Sequence, residues 1–247
     1  MWAIVPVRSL TSAKSRLSPV LDALAREHLQ RELLLRTLKA VEGCTSIDRA
    51  LVVTRDPEVA VLAQGAGART LSEPASDRTE PEGLLNAALD RAAEVALTEG
   101  APAVLVLPSD LPRLDARALD EVVAKLPTDE RSVAVFSDRH CDGTNALFCR
   151  PPGVLSFAFG PGSCERHARR GRNAGAKTVA LSHPDVELDL DTPADLEALR
   201  DGGALEDSLE TLLPRLDATS SNETGRSEPV LEPRSLPLSA PSASPGD

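Results

Sequence analysis

Ala103-Val104-Leu105-Val106-Leu107-Pro108-Ser109-Asp110-Leu111-Pro112 decides the fold of this chain. An unbroken apolar run of this length, stopped by a proline, reads as a strand buried on both faces, the kind found in parallel sheets covered by helices. Asp110 then stands just past the strand's carboxyl end, the edge at which open α/β sheets hold their ligands. The plainer reading of the same residue is a turn initiator ahead of Leu111-Pro112.

Outward from this run the alternation of strand and helix repeats. Residues 2–7, 50–54 and 68–71 are predicted strands. Residues 24–42 and 82–98 are predicted helices, the first with Leu29, Leu33, Thr37 and Ala40 at helical spacing and Gly43 as its stop. Asp56-Pro57 opens a short helix, aspartate as N-cap and proline at the first helical position. Beyond 103–107 follow a helix at 116–126, strands at 132–136, 145–149, 177–181 and 187–190, and helices at 163–172 and 193–200. The pattern predicts an α/β fold with a mixed, mostly parallel sheet, helices on both faces and an antiparallel element among the later strands. Residues 1–200 form one domain in this reading. Leu205, Leu209, Leu212 and Leu213 suggest a short terminal helix over 201–217. Residues 218–247, rich in Ser, Pro and Glu, lack the apolar content to order themselves and read as a disordered tail.

Composition narrows the function. Aromatic residues make up only 2% of the 247, so the core must come from Leu, Val, Ala and Ile, as suits parallel strands under Ala- and Leu-rich helices. The net charge of −11 argues against a broad nucleic-acid face, and no apolar run approaches the roughly 18 residues of a bilayer span. The chain is expected to engage neither nucleic acid nor membrane. Residues 201–247 carry nine acidic and three basic side chains, leaving the first 200 residues at −5. The start Met1-Trp2-Ala3-Ile4-Val5-Pro6 has no basic leader and reads as a strand. Cys44, Cys141, Cys149 and Cys164 form no Cys-x-x-Cys pair, and His140, Cys141, Cys164 and His167 match no zinc spacing, so a reduced, cytoplasmic setting is expected.

The second informative stretch is Leu188-Asp189-Leu190-Asp191-Thr192-Pro193. In an extended segment alternate side chains share a face, which puts Asp189 and Asp191 on one side and Leu188 and Leu190 on the other. With Asp110 they would make a site for a hard divalent cation such as Mg²⁺, which is usually held by one or two carboxylates, waters and substrate phosphates. Helix capping explains Asp191 as well, but leaves Asp189 without a role. The loop after the first strand, from Pro6 through Arg8, Lys14 and Arg16, carries a point charge and a guanidinium fork suited to a triphosphate; a solvated basic loop would look the same. Neither a P-loop nor a G-x-G-x-x-G fingerprint is present.

Three further segments stand at element starts. Gly83-Leu84-Leu85-Asn86 begins a helix. Asp142-Gly143-Thr144-Asn145 precedes a strand. Phe159-Gly160-Pro161-Gly162-Ser163 precedes another helix, with Ser163 as its expected N-cap and the glycines open to an anion, or forming a plain capped turn. No G-x-S-x-G elbow or S-x-x-K motif occurs, so covalent catalysis is not favoured.

Taken in order, Val5-Pro6-Val7-Arg8 with Ala13-Lys14-Ser15-Arg16-Leu17, Gly83-Leu84-Leu85-Asn86-Ala87-Ala88-Leu89, Pro108-Ser109-Asp110-Leu111-Pro112, Asp142-Gly143-Thr144-Asn145-Ala146-Leu147, Phe159-Gly160-Pro161-Gly162-Ser163 and Asp189-Leu190-Asp191-Thr192-Pro193 resemble the guanylyltransferase family of deazaflavin coenzyme (factor 420) biosynthesis. The resemblance covers about residues 1–200. It implies a nucleotidyltransferase-A-like, Rossmann-like fold, with GMP passed from GTP to the phosphate of phosphoenolpyruvate, 2-phospho-L-lactate or 3-phosphoglycerate and pyrophosphate released. It also implies Mg²⁺ on Asp110, Asp189 and Asp191. The small phosphorylated acid would lie at Thr144, Asn145, Gly160 and Ser163, the triphosphate near Lys14 and Arg16, and the nucleotide near Pro6, Arg8, Lys14 and Asn86. A homodimer is compatible with the family. Arg8 stands where lysine is common, and Leu84-Leu85 lengthens the usual Gly-Leu-Asn by one residue. The competing readings are a molybdopterin or sugar-nucleotide transferase of the same fold, disfavoured because Pro6-Val7-Arg8-Ser9 replaces a Gly-rich loop, and a non-catalytic nucleotide-binding scaffold.

Overall fold

A computed structural model describes residues 1–72 and 80–201. Seven strands form one sheet in the order β3-β2-β1-β4-β6-β5-β7: β1 (Trp2–Pro6), β2 (Arg49–Thr54), β3 (Arg69–Ser72), β4 (Val104–Val106), β5 (Ser132–Ser137), β6 (Thr144–Arg150) and β7 (Lys177–Leu181). The helices are α1 (Ala23–Gly43), α2 (Pro57–Gly65), α3 (Pro81–Thr98), α4 (Ala116–Ala124), α5 (Ser163–Asn173), α6 (Pro184–Glu187) and α7 (Pro193–Asp201), with a 3₁₀ turn at Ser15–Leu17.

β1 lies between β2 and β4 and is parallel to both. The chain steps outward from β1 to β3, then returns through α3 to β4 on the other side of β1. That reversal opens a crevice at the carboxyl ends of β1 and β4, where Pro6 and the loop carrying Asp110 emerge. β6 is the antiparallel element, paired with both β4 and β5; it follows β5 through a short connection that permits only a hairpin.

Side chains alternate across the sheet. Ile4, Leu51, Val53, Val104 and Val106 pack on Ala88, Ala92 and Ala96 of α3. Ala3, Leu105, Phe136 and Phe148 pack on Ala118, Leu119 and Val122 of α4. Asp22, Asp56 and Asp115 cap α1, α2 and α4 with their carboxylates.

One predicted strand is corrected. Residues 187–190 do not join the sheet, which ends at β7 on that side. His183 instead accepts the Asp185 N–H while Pro184 opens α6. The segment that follows is tied to the sheet's edge by the Arg139 N–H to Glu187 O bond (2.9 Å) and the Leu190 N–H to Asp110 O bond (3.1 Å). Leu188 and Leu190 are buried with Leu17, Leu29, Leu33 and Leu196, so the alternation expected of residues 188–191 survives outside any strand. The helix begun at α7 reaches Asp201; the rest of the predicted 201–217 helix and the 218–247 tail lie outside the described residues.

α5 lies close against β5 and β7 at Gly171, where a Cβ would come 2.5 Å from Thr178 Oγ1 and 3.2 Å from Val133 Cβ. Gly171→Ala is therefore expected to destabilise the domain by about 1–3 kcal/mol through overpacking. Urea unfolding measures this; an unchanged midpoint would mean that α5 can back away freely.

Candidate active site

The crevice holds a cleft of about 690 Å³ lined by residues from seven separate segments, among them Pro6, Arg8, Lys14, Asp110, Gly160 and Asp191. Lys14 organises its floor. Its backbone is left-handed (φ 58°), which strains a residue with a Cβ by roughly 1–2 kcal/mol. That conformation carries a nearly buried side chain inward, where Nζ lies 2.8 Å from Asp110 Oδ2 and 2.8 Å from Asp191 Oδ1. Burial opposes the charge, but the two carboxylates outweigh it and hold the ammonium above the ordinary lysine range.

Asp191 is free to take this bond because it does not cap α7. Asp195 Oδ2 accepts from the Asp191 and Thr192 backbone N–H groups (3.0 and 2.6 Å) and from the Thr192 hydroxyl, while Arg139 Nη2 holds Asp195 Oδ1 at 2.6 Å. The cap is thus a Thr192–Asp195 box, legible in Thr-Pro-Ala-Asp though not singled out from the sequence. Asp189 is reached by Asn145, whose Nδ2 donates to Val186 O, Glu187 O and, at 3.4 Å, Asp189 Oδ1. Asn145, expected on the substrate, is here committed to holding the aspartate-bearing segment.

The remaining expectations divide similarly. Arg8 lines the cleft; Arg16, on the 3₁₀ turn, is exposed and does not. Asn86 was expected to read the nucleotide, but its amide is spent in a clasp: Nδ2 donates to Phe159 O and Glu82 O, and Oδ1 accepts the Phe159 N–H at 2.7 Å. It thereby sets the loop that carries Gly160. Gly160 has φ 120°, and a Cβ there would lie 3.0 Å from Glu82 Cγ, so the loop approaches α3 only as glycine. Gly162, not Ser163, is the N-cap of α5. Ser163 Oγ donates instead to Thr144 Oγ1 at 3.1 Å, and Thr144 Oγ1 lies 3.0 Å from His167 Nδ1. Cleft residues that the sequence did not announce are Gln30, whose Nε2 donates to Ser109 Oγ at 2.9 Å, and Arg55.

Asp110, Asp189 and Asp191 do converge: burial, then Asp110, then Asp191 push the Asp189 carboxyl up to about 6. Among the described residues no group of three or more His, Cys, Asp or Glu side chains is arranged to hold a metal ion. The arrangement suits a partial shell. Asp110 Oδ1 is buried without a hydrogen-bond partner, and Asp110 and Asp191 share one ammonium while Asp189 has none. An open site of that kind matches a cation that completes its shell with water and phosphate oxygens.

The family model described as "Guanylyl transferase CofC like" matches residues 1–222. The chain belongs to that family. A phosphoenolpyruvate guanylyltransferase of Rubrobacter xylanophilus is 41% identical over 209 residues, 83% of this chain and 96% of the relative. One of Rhodococcus erythropolis is 41% identical over 230 residues, covering 90% and 99% respectively. Among solved structures, a nucleotide-diphospho-sugar transferase homologue from Desulfovibrio desulfuricans superposes with a TM-score of 0.67 at 16% identity, over 87% of this chain and 94% of that one. At that identity it shows the fold alone. It is a nucleotidyltransferase-type fold, as expected from the sequence.

The raised Asp189 carboxyl yields a stability prediction. The folded state binds its proton more tightly than the unfolded chain, whose value is near 4, so ionised Asp189 costs stability above about pH 6 and nothing below about pH 4. Asp189→Asn keeps an oxygen for Asn145 and is expected to raise the thermal midpoint by a few degrees at about pH 7.5, on the order of 1 kcal/mol after allowance for solvent. The gain should shrink as pH falls from 6 towards 4. A loss of stability that is the same at every pH would refute repulsion at this position.

Proposed function

We propose that this enzyme transfers the guanylyl group of GTP to the phosphate of phosphoenolpyruvate, releasing pyrophosphate, as a step in deazaflavin coenzyme (factor 420) biosynthesis. A phosphate oxygen of the acid attacks the α-phosphorus of GTP. One P–O bond forms there and the α–β bridging P–O bond breaks, its electrons leaving with pyrophosphate. The acceptor is already anionic near neutral pH, so no general base is needed, in keeping with the absence of a nucleophile motif.

The observation that carries this reading is the convergence of Lys14, Asp110, Asp189 and Asp191 at the crevice between β1 and β4. The names of the relatives support the choice of GTP and phosphoenolpyruvate. The chief obstacle is electrostatic, since two polyanions must meet. Asp110, Asp189 and Asp191 would hold Mg²⁺, which when bound neutralises charge between the reactants. Lys14 and Arg8 place positive charge along the cleft, where a triphosphate would lie and pyrophosphate would depart. Gly160 lines the cleft, and the acid would lie there with Thr144, Ser163 and the Arg166 guanidinium close by. Both proposed substrates are charged and membrane-impermeant, which favours a cytoplasmic reaction.

Full-length protein with GTP, phosphoenolpyruvate and Mg²⁺ should release pyrophosphate, and chelation of the metal should stop it. Asp110→Asn and Asp191→Asn are each expected to lower kcat by roughly a hundredfold or more, by loss of transition-state charge stabilisation. 2-Phospho-L-lactate and 3-phosphoglycerate should turn over more slowly. Absence of pyrophosphate with every acid, or full turnover in both aspartate variants, would overturn the assignment.

A further inference from the structure

Ser163, His167 and Gly171 lie four residues apart on α5 and form its buried face. Gly171 seats the helix on the sheet, and Ser163 meets Thr144. His167, between them, is wholly buried and carries no role in the reading above. Its two ring nitrogens have different partners. Nε2 lies 2.9 Å from the Ala158 backbone nitrogen, and Nδ1 lies 3.0 Å from Thr144 Oγ1.

A backbone N–H can only donate, so His167 Nε2 must be the bare, accepting nitrogen. Burial, together with the Arg170 and Arg166 guanidinium groups, pushes the imidazole down to about 3, so it is neutral and carries one proton. That proton is therefore on Nδ1 and is donated to Thr144 Oγ1. The same oxygen accepts the Ser163 hydroxyl proton at 3.1 Å. A hydroxyl has two lone pairs and one hydrogen. With both lone pairs taken by protein donors, the Thr144 hydrogen has to point away from His167 and Ser163.

We infer that His167 is a positioning residue for the acceptor acid: its fixed Nδ1–H tautomer makes Thr144 Oγ1 an acceptor within the protein and turns the threonine's own O–H into an outward donor for the acid's anionic group. The other ring nitrogen, through Ala158, holds the loop that presents Gly160, so one buried ring sets both Thr144 and that loop. Phe159 packs edge-on against the imidazole, 4.7 Å between centroids, and keeps it from rotating. The inference rests on the reading that Thr144 and Ser163 bind the acid.

Two isosteric substitutions separate the two nitrogens. His167→Gln keeps an oxygen near Ala158 but loses the donor to Thr144. His167→Asn keeps an amide N–H near Thr144 but loses the acceptor for Ala158. His167→Gln is expected to raise KM for phosphoenolpyruvate about tenfold, as for a lost hydrogen bond to a charged group, with KM for GTP unchanged. His167→Asn should restore most of the difference. Equal shifts in both KM values, following the thermal midpoints, would reduce His167 to a structural residue and overturn the proposal. Independently of any variant, the ¹⁵N spectrum of the wild-type imidazole should report the Nδ1–H tautomer; an Nε2–H tautomer refutes it. Thr144→Val tests the parent reading alone. An unchanged KM for phosphoenolpyruvate in that variant removes the premise that Thr144 binds the acid. A raised KM there, with His167→Gln behaving as wild type, leaves the premise standing and sinks the role of His167.

Discussion

Three carboxylates gathered at one sheet edge, with one buried ammonium among them, is the constraint on which the rest of this molecule depends. Two like charges about 4 Å apart repel by roughly 4 kcal/mol at the effective dielectric of a protein surface, so the cluster cannot hold itself together. It persists because the backbone leaves it no alternative. Asp110 follows the end of β4, the Leu190 N–H to Asp110 O bond draws the 188–191 segment alongside, and the Thr192–Asp195 box fixes where that segment turns into α7. Lys14 supplies a compensating charge to Asp110 and Asp191 and does so from a strained backbone. Strain and unrelieved repulsion at one place are what a site built to receive a cation and a polyphosphate would carry.

Around this centre the polar side chains divide into those that build and those that face the cleft. Asn86 and Asn145 are builders. The first clasps the Phe159 backbone to α3 and the second clasps the 186–189 segment to β6. Arg139 braces Asp195, and Gln30 braces Ser109 beside Asp110. Each of these bonds joins elements distant in sequence, so the site's precision comes from the second layer of side chains rather than from any single loop.

That division explains what could be read in the sequence. The run 103–107 announced a buried strand because period and length are local properties, and Asp110 followed from its place after that strand. Residues 187–190 carry the alternation of a strand equally well, yet the Arg139 and Asp110 backbone groups that hold them at the sheet's end instead are not written in the segment. The aspartates were legible because clustered carboxylates have few structural uses. Asn86 and Asn145 were not, since a carboxamide that grips a backbone and one that grips a ligand look identical in sequence. His167 had no legible partner in the sequence, and which nitrogen faces Thr144 depends on a backbone N–H that arrives from nine residues away.

The proposed chemistry also sets what each part of the cleft would have to do. A guanidinium on the acceptor phosphate would stabilise its charge strongly and make its oxygen a poorer nucleophile. Hydroxyls and backbone N–H groups orient the same anion while withdrawing less charge from it. On the opposite side the demand is reversed, because negative charge grows on the departing pyrophosphate and full positive charge is most useful there. Gly160 lines the cleft together with Lys14 and Arg8, while Thr144 and Ser163 are buried in the hydrogen-bonded group adjoining the Gly160 loop. A site that must move charge from the acceptor to the leaving group is served best when full positive charge is kept for the side on which pyrophosphate departs.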